Sequence, residues 1–177
     1  MVEQVGGVST AAGAAPESGW LTHEQQVAWR QTTNLFLLLP KVLDAQLQRD
    51  SGLNLFEYIV LSSLSMAEDR SMRMSALAEF THGSLSRLSN VVKRLEQRQW
   101  VTREPDPENG RYTRARLTDS GWDVVVAAAP GHVDAVRRFL VDPLTTSQLR
   151  TLAAAGQRIR ERVEADGRCS PCEPPPC

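Results

Sequence analysis

The segment Ser84–Gln99, SLSRLSNVVKRLEQRQ, carries side chains whose types and spacing suit recognition chemistry. At a helical period Leu85, Leu88, Val91, Val92 and Leu95 fall on one side, and Ser86, Arg87, Ser89, Asn90, Lys93, Arg94 and Gln97 on the other. The apolar side calls for a core. The other side has short hydrogen-bonding groups towards the N-terminal end and cations further along. A helix lying in the major groove of DNA needs that order: Arg pairs with guanine edges, Asn with adenine edges, and Lys and Arg hold phosphates. Ser84 is placed to cap this helix, whose first-turn N–H groups suit a phosphate.

A second basic element follows directly. Val101–Pro105 and Tyr112–Leu117 read as strands, joined by DPENG, in which Asn109-Gly110 tolerates positive φ. The hairpin carries Arg103, Arg111, Arg114 and Arg116. Arg111 stands just past the turn and is expected to leave the tip pointing away from the lobe, where it could enter a narrow, electronegative minor groove. Arg114 lies nearer the body.

Other reactive residues form no comparable pattern. His23, His82 and His132 are too scattered for a metal site, and His82 reads as an ordinary turn residue. No H-E-x-x-H, G-x-S-x-G, P-loop or dinucleotide fingerprint occurs, so neither an enzyme nor a cofactor is expected. Cys169, Cys172 and Cys177 include a C-x-x-C half-motif, set in a Pro-rich tail without a second ligand pair. The plain reading is a tail without a specific task; the alternative is thiol-based sensing. Trp29 and Phe36, seven apart on one helical face, with Tyr58, could line a ligand cavity, although aromatics at this spacing are usually core.

The elements that position these residues are mostly helical. Thr22 caps a helix reaching about Asp50, with Pro40 a kink inside it and Gly52 closing it. Asn54 caps a second, Leu55 to about Ala67, with Phe56, Ile59, Val60 and Leu64 on one face. Met74–Thr81 is a short third helix, His82-Gly83 a tight turn, and SMR before it a possible third strand. Thr118 caps TDSGWDVVVAAA, which Pro130-Gly131 interrupts or kinks; Val133–Leu140 continues helical, and Thr145 or Thr146 caps a last helix ending near Asp166. The fold class is mainly α with a small β-wing. Residues 1–19 and 167–177 read as disordered tails.

Composition narrows the class of protein. Of 177 residues 41% are hydrophobic and 23% charged, fitting one soluble globular domain. No apolar run could span a bilayer, and the N-terminus lacks the features of a signal peptide, so a cytoplasmic protein is expected. The net charge is -1, yet residues 70–116 hold ten Lys/Arg against five Asp/Glu. A basic segment in an otherwise acidic chain points to a polyanion.

The segment LNLFEYIVLSSL … MSALAEFTHGSLSRLSNVVKRLEQRQWVTREPDPENGRYTRARLTDSGW resembles the winged helix-turn-helix of the MarR family of bacterial transcription regulators. Leu77-Ala78-Glu79, the Ser84–Glu96 helix ending in RLE, Val101-Thr102-Arg103, the wing and Leu117-Thr118-Asp119-Ser120-Gly121 carry the resemblance, which spans roughly 20–165. SLSRLS followed by PDPENGRYT is similar to a group common in actinobacteria. The resemblance implies a homodimer, with helices at about 20–50 and 119–166 forming the dimer layer. Two winged lobes at about 53–118 then read a palindromic operator in double-stranded DNA. It implies DNA contacts at Ser86, Arg87, Ser89, Asn90, Lys93 and Arg94, with Arg111 from the wing; Ser84 at the start of the helix and Arg114 on the hairpin join them as candidate contacts from the residues themselves. It also implies a repressor released by a small, often phenolic, effector. Two positions depart from the family pattern: Asn109 stands where the wing usually has Asp, and Gln99 where the helix usually ends in Gly. A left-handed Gln99 would cost about 1–2 kcal/mol; the alternative is a different helix end with Trp100 packed under the wing. Two competing functions are a redox sensor acting through the tail cysteines and a helical protein-interaction module that binds no DNA.

Overall fold

The computed structural model of the chain describes residues 19–167. Apart from Gly19 and Gly167, the two expected tails, with Cys169, Cys172 and Cys177, lie outside the described residues. The chain has two compact units, which divide inside the first helix between Lys41 and Val42. In the first unit, α1 (His23–Ser51) begins as its sequence predicts. The Thr22 hydroxyl accepts from the Gln25 N–H at 3.3 Å, and Gln25 Oε1 accepts from the Thr22 N–H at 2.8 Å. Pro40 lies within this continuous helix.

The second unit opens with the last turns of α1, closed by Gly52 at φ 64. Helix α2 (Leu55–Met66) starts with a reciprocal cap: Asn54 Oδ1 accepts from the Glu57 N–H at 2.8 Å and Glu57 Oε2 from the Asn54 N–H at 3.1 Å. A 3-10 turn leads into β1 (Ser71–Arg73), the possible third strand of the sequence. Helices α3 (Met74–Phe80) and α4 (Leu85–Gln97) follow, then β2 (Val101–Pro105) and β3 (Thr113–Leu117). The sheet is antiparallel in the order β1-β3-β2, with Ala115 opposite both Met72 and Arg103. Helix α5 (Asp119–Val136), a π-helical turn (Arg137–Val141) and α6 (Thr146–Gly167) complete the described chain.

The core lies between α2, α3, α4 and the sheet. Leu53, Val60, Leu61, Leu64, Leu77, Leu88, Val92, Leu95 and Val101 are fully buried, each contributing roughly 1.5–3 kcal/mol of transfer free energy. Two expectations are corrected here. Helix α2 is enclosed by α3, α5 and the sheet, so it buries a wider arc: Tyr58 and Leu61 are inside while Ile59 is exposed. Helix α5 is not interrupted at Pro130-Gly131. Packing of Val125 and Ala128 before the proline and of Ala135 after it outweighs one missing backbone donor.

Candidate nucleic-acid interface

Helix α3, the four residues 81–84 and α4 form a helix-turn-helix, and both this turn and the one after α4 rest on left-handed residues that are not glycine. His82 holds φ 49; its N–H donates to the Glu79 carbonyl at 3.1 Å and the Gly83 N–H to that of Ala78 at 3.0 Å, closing α3. Gly83 sits against α2: a Cβ there would lie 2.9 Å from Phe56 Cζ. The Ser84 hydroxyl then caps α4 by accepting the Arg87 N–H at 3.2 Å. At the other end Gln99 is left-handed at φ 62, the first of the two alternatives for this position. Its N–H donates to the Glu96 carbonyl at 2.9 Å, and the Trp100 N–H to that of Leu95 at 3.0 Å.

The LTDSG segment fastens this second turn. The Thr118 and Ser120 hydroxyls each donate to the Gln99 carbonyl at 2.8 Å, and the Thr118 N–H donates to the Trp100 carbonyl at 3.0 Å. Thr118 also caps α5, accepting the Gly121 N–H at 3.0 Å. A Cβ on Gly121 would stand 2.1 Å from the Trp100 carbonyl oxygen, so only glycine fits.

Helix α4 divides largely as its sequence predicts. Leu88, Val91, Val92 and Leu95 are buried; Ser86, Arg87, Asn90, Lys93 and Gln97 are exposed, and Ser89 is half-buried. Leu85 departs from the expected core face and is 55% exposed. It shares a stripe with Val92, but it borders the open cleft between α4 and the wing rather than the core.

The charges sort the candidates further. Of the ten Lys/Arg in residues 70–116, seven make ion pairs. Arg70 pairs with Asp119, Arg73 with Asp106 and Glu108, Arg94 and Arg98 with Glu57, Arg103 with Glu96, Arg114 with Asp106, and Arg116 with Glu104. Among the described residues Arg87, Lys93 and Arg111 have no carboxylate partner. Arg87 lies 4.1 Å over the Phe56 ring, Lys93 is open, and Arg111 is at the wing tip. The basic excess is therefore spent internally except on the outer face of α4 and on the wing.

Two of the expected contact residues have structural partners. Arg94 Nε donates to Glu57 Oε1 at 3.2 Å, and that carboxylate is nearly fully buried. Arg114 donates to the Ser71 hydroxyl and carbonyl at 3.0 and 3.2 Å, tying β3 to β1. The sequence placed Arg94 beside Lys93 as a backbone contact and Arg114 nearer the body of the wing; the partners of both come from distant segments.

The wing loop is built differently from its sequence prediction. Asn109 and Gly110 are not left-handed. Asp106, which sequence reasoning passed over, organises the loop instead. Its Oδ1 accepts the Glu108 and Asn109 N–H groups at 3.0 and 3.1 Å, and Arg73 reaches Oδ2 at 2.7 Å. The Arg73 hydrogen bond, with the two backbone donors, holds this buried carboxyl at about 2, below its usual 3.8. An Asp opening a Pro- and Gly-containing loop is the local signal that could have found it. Arg111, at the wing tip, is exposed. It lines a cleft of about 390 Å³ between wing and α4, with Leu85, Ser89, Met74 and Tyr112 on its walls.

The aromatic candidates are placed separately. In the first unit Trp29 and Phe36 are 61% and 64% exposed on α1. In the second, Tyr58 is buried with its ring 4.5 Å from that of His132. Burial raises the Tyr58 pKa and lowers that of His132. Among the described residues no cluster of His, Cys, Asp and Glu could hold a metal ion, and no helix is long and apolar enough to cross a membrane.

A helix-turn-helix followed by a two-stranded wing, with a third strand ahead of it, defines the winged helix class. Comparison with known proteins narrows this. The MarR family profile matches residues 53–113. Sco3205 of Streptomyces coelicolor, a MarR family transcriptional regulator solved in complex with DNA, is 40% identical, covering 89% of this chain and 96% of that one at a TM-score of 0.76. AbsC, a MarR family transcriptional regulator from the same organism, is 37% identical over 84% of this chain and 99% of that one, at 0.80. The transcriptional regulator BldR of Sulfolobus solfataricus shares the fold at 19% identity, over 78% of this chain and 96% of that one, with a TM-score of 0.68. Comparison with curated proteins gives no match. The chain belongs to the MarR family of transcriptional regulators.

Proposed function

We propose that the chain is a homodimeric, sequence-specific DNA-binding repressor whose affinity for a palindromic operator is lowered by a small ligand. The observation that carries the reading is the distribution of cations without a carboxylate partner among the described residues: Arg87, Lys93 and Arg111 occupy the outer face of α4 and the wing, while seven neighbouring cations are paired with carboxylates. Arg87 and Asn90 read bases, Lys93 holds phosphate, and Arg111 enters the minor groove. Ser84, Ser86 and Ser89 add short hydrogen-bonding groups at the same end of α4. The DNA complex of Sco3205 supports the same partner for this chain.

Exposed apolar side chains support a dimer. Leu35, Phe36, Leu37 and Leu38 on α1, and Leu152, Ile159 and Val163 on α6, are uncovered in a single chain. The α6 residues repeat at seven and four, the spacing of a helix-packing seam. An obligate interface of roughly 2,000 Å² or more is the expectation.

Footprinting on the DNA flanking the chain's own gene, followed by salt titration, tests the reading. Two protected half-sites and a steep fall of affinity with salt are expected. Lys93→Ala should reduce the salt slope by about 0.9 for each protomer, lowering affinity evenly across operator variants. Arg87→Ala should relax preference at one base pair per half-site, worth about 1–3 kcal/mol of discrimination. Absence of protection, or an affinity indifferent to salt, overturns it.

A further inference from the structure

We propose that Leu85 reads the C5-methyl group of a thymine in each half-site, with the strand that carries it seated in the cleft between α4 and the wing. The proposal rests on the DNA-binding reading above and adds to it a base and the residue that selects it. Its starting point is the failure of helical periodicity at one position. Leu85 and Val92 lie seven residues apart on one stripe of α4; Val92 is fully buried and Leu85 is 55% exposed. Ser86, Arg87, Ser89 and Asn90, the other residues of that end of the helix, all have polar side chains apart from buried Leu88. Leu85 is therefore the exposed apolar group among the reading residues.

The cleft determines what can cover it. Leu85 and Ser89 face Arg111 and Tyr112 across about 390 Å³ of open space. Among the described residues Arg111 has no carboxylate partner, so the wall opposite Leu85 presents a free cation. An apolar peptide segment seated there would bury that guanidinium without a counter-charge, which is unfavourable. A nucleic-acid strand meets both walls at once: its backbone runs along the cleft towards the minor groove that Arg111 enters, and its base edges face α4. The apolar group that a base pair offers in the major groove is the thymine methyl. That methyl lies at the groove's edge beside its own backbone, so one strand can present backbone to the wing and methyl to Leu85.

The experiment uses the full chain and the duplex it selects from a pool of random double-stranded sequences. Each thymine of the selected duplex is replaced in turn by deoxyuridine, which removes the methyl and leaves every hydrogen-bonding group. Wild type should lose about fourfold in affinity per half-site at one thymine position, the factor corresponding to about 0.8 kcal/mol for one buried methyl. Leu85→Ala should bind the thymine duplex about as weakly as wild type binds the deoxyuridine duplex, and show no further loss on the latter. Leu85→Met, which keeps an apolar contact, should retain most of the methyl dependence. An unchanged melting temperature verifies that both variants fold. If wild type is indifferent to every deoxyuridine substitution, or Leu85→Ala is as sensitive as wild type, the proposal is overturned and DNA binding stands. If the pool yields no selected duplex, the DNA-binding reading itself fails, and the proposal with it.

Discussion

Replacing Gln99 by glycine is expected to stabilise the protein. Gln99 holds φ 62, where its Cβ crowds the following carbonyl at a cost of about 1–2 kcal/mol. Its side chain is exposed and makes no hydrogen bond among the described residues, so truncation loses little. The contacts of the turn are made by its backbone, whose N–H and carbonyl engage Glu96, Thr118 and Ser120, and glycine keeps them all. Against the relief stands the greater freedom of glycine in the unfolded chain, about 0.4–1 kcal/mol. The net gain is about 0.5–1 kcal/mol, which for a chain of this size raises Tm by roughly 1–4 °C. Thermal unfolding followed by circular dichroism checks it, with three companions. Gln99→Asn should fall between wild type and glycine, and Gln99→Val below wild type, because a β-branched residue suffers most in the left-handed region. Gln97→Gly, two residues earlier and helical, should lose up to about 1 kcal/mol. If Gln99→Gly melts at or below wild type, left-handed strain is not what limits this turn and the reasoning is refuted.

Gly121→Ala should destabilise strongly, by about 3 kcal/mol or more, because its Cβ would meet the Trp100 carbonyl oxygen at 2.1 Å; a Tm within a few degrees of wild type counts against the packing described here. Acid titration of Tm should expose Asp106: its carboxyl, held at about 2 against an ordinary 3.8, contributes stability above pH 3.8 that disappears as pH falls to about 2, and Asp106→Asn should melt lower at neutral pH with a flatter acid limb. His132 has the same sign at higher pH: burial lowers its pKa below 6.5, so the unfolded chain takes the proton first and stability should fall as pH drops below 6.5, a dependence that His132→Phe removes. Arg111→Ala should cost specific DNA binding several-fold at unchanged Tm, with Arg111→Lys recovering part; titration on operators with A·T-rich and G·C-rich flanks would show no difference from wild type if the wing reads nothing.

Element types were legible because each is announced locally. Thr22, Asn54, Ser84 and Thr118 all cap the helices they precede. What the chain did not disclose depends on contacts between distant segments. Leu85 obeys the helical period of a core residue, but the wing leaves an open cleft beside it where a core residue would find a neighbour. Asn109-Gly110 has the composition of a left-handed turn, yet the Asp106 carboxylate, clamped by Arg73 from 33 residues away, satisfies the loop's N–H groups and makes positive φ unnecessary. Arg94 and Arg114 look like Lys93 and Arg111 in sequence, and only the fold supplies Glu57 and Ser71 beside the first pair. Conversely, the left-handed Gln99 was foreseeable, since it stands at a helix end where the family places glycine.

The buried Glu57 carboxylate completes the cap of α2 and also receives Arg94, with Arg98 at 4.0 Å, while Asp44 Oδ1 accepts the Leu55 N–H at 2.7 Å. These links run from the end of α1 through the first turn of α2 to the C-terminal part of α4. Tilting α4 alone would strip Glu57 of its charged partners in a place where little water can replace them. The tilt of α4 on the lobe is thus fixed from its α2 side, by Glu57 and the two arginines it holds. Ser86, Asn90 and Lys93 take no part in these links, so under the reading proposed above a new base preference would be acquired there by substitution while the tilt of α4 is inherited intact.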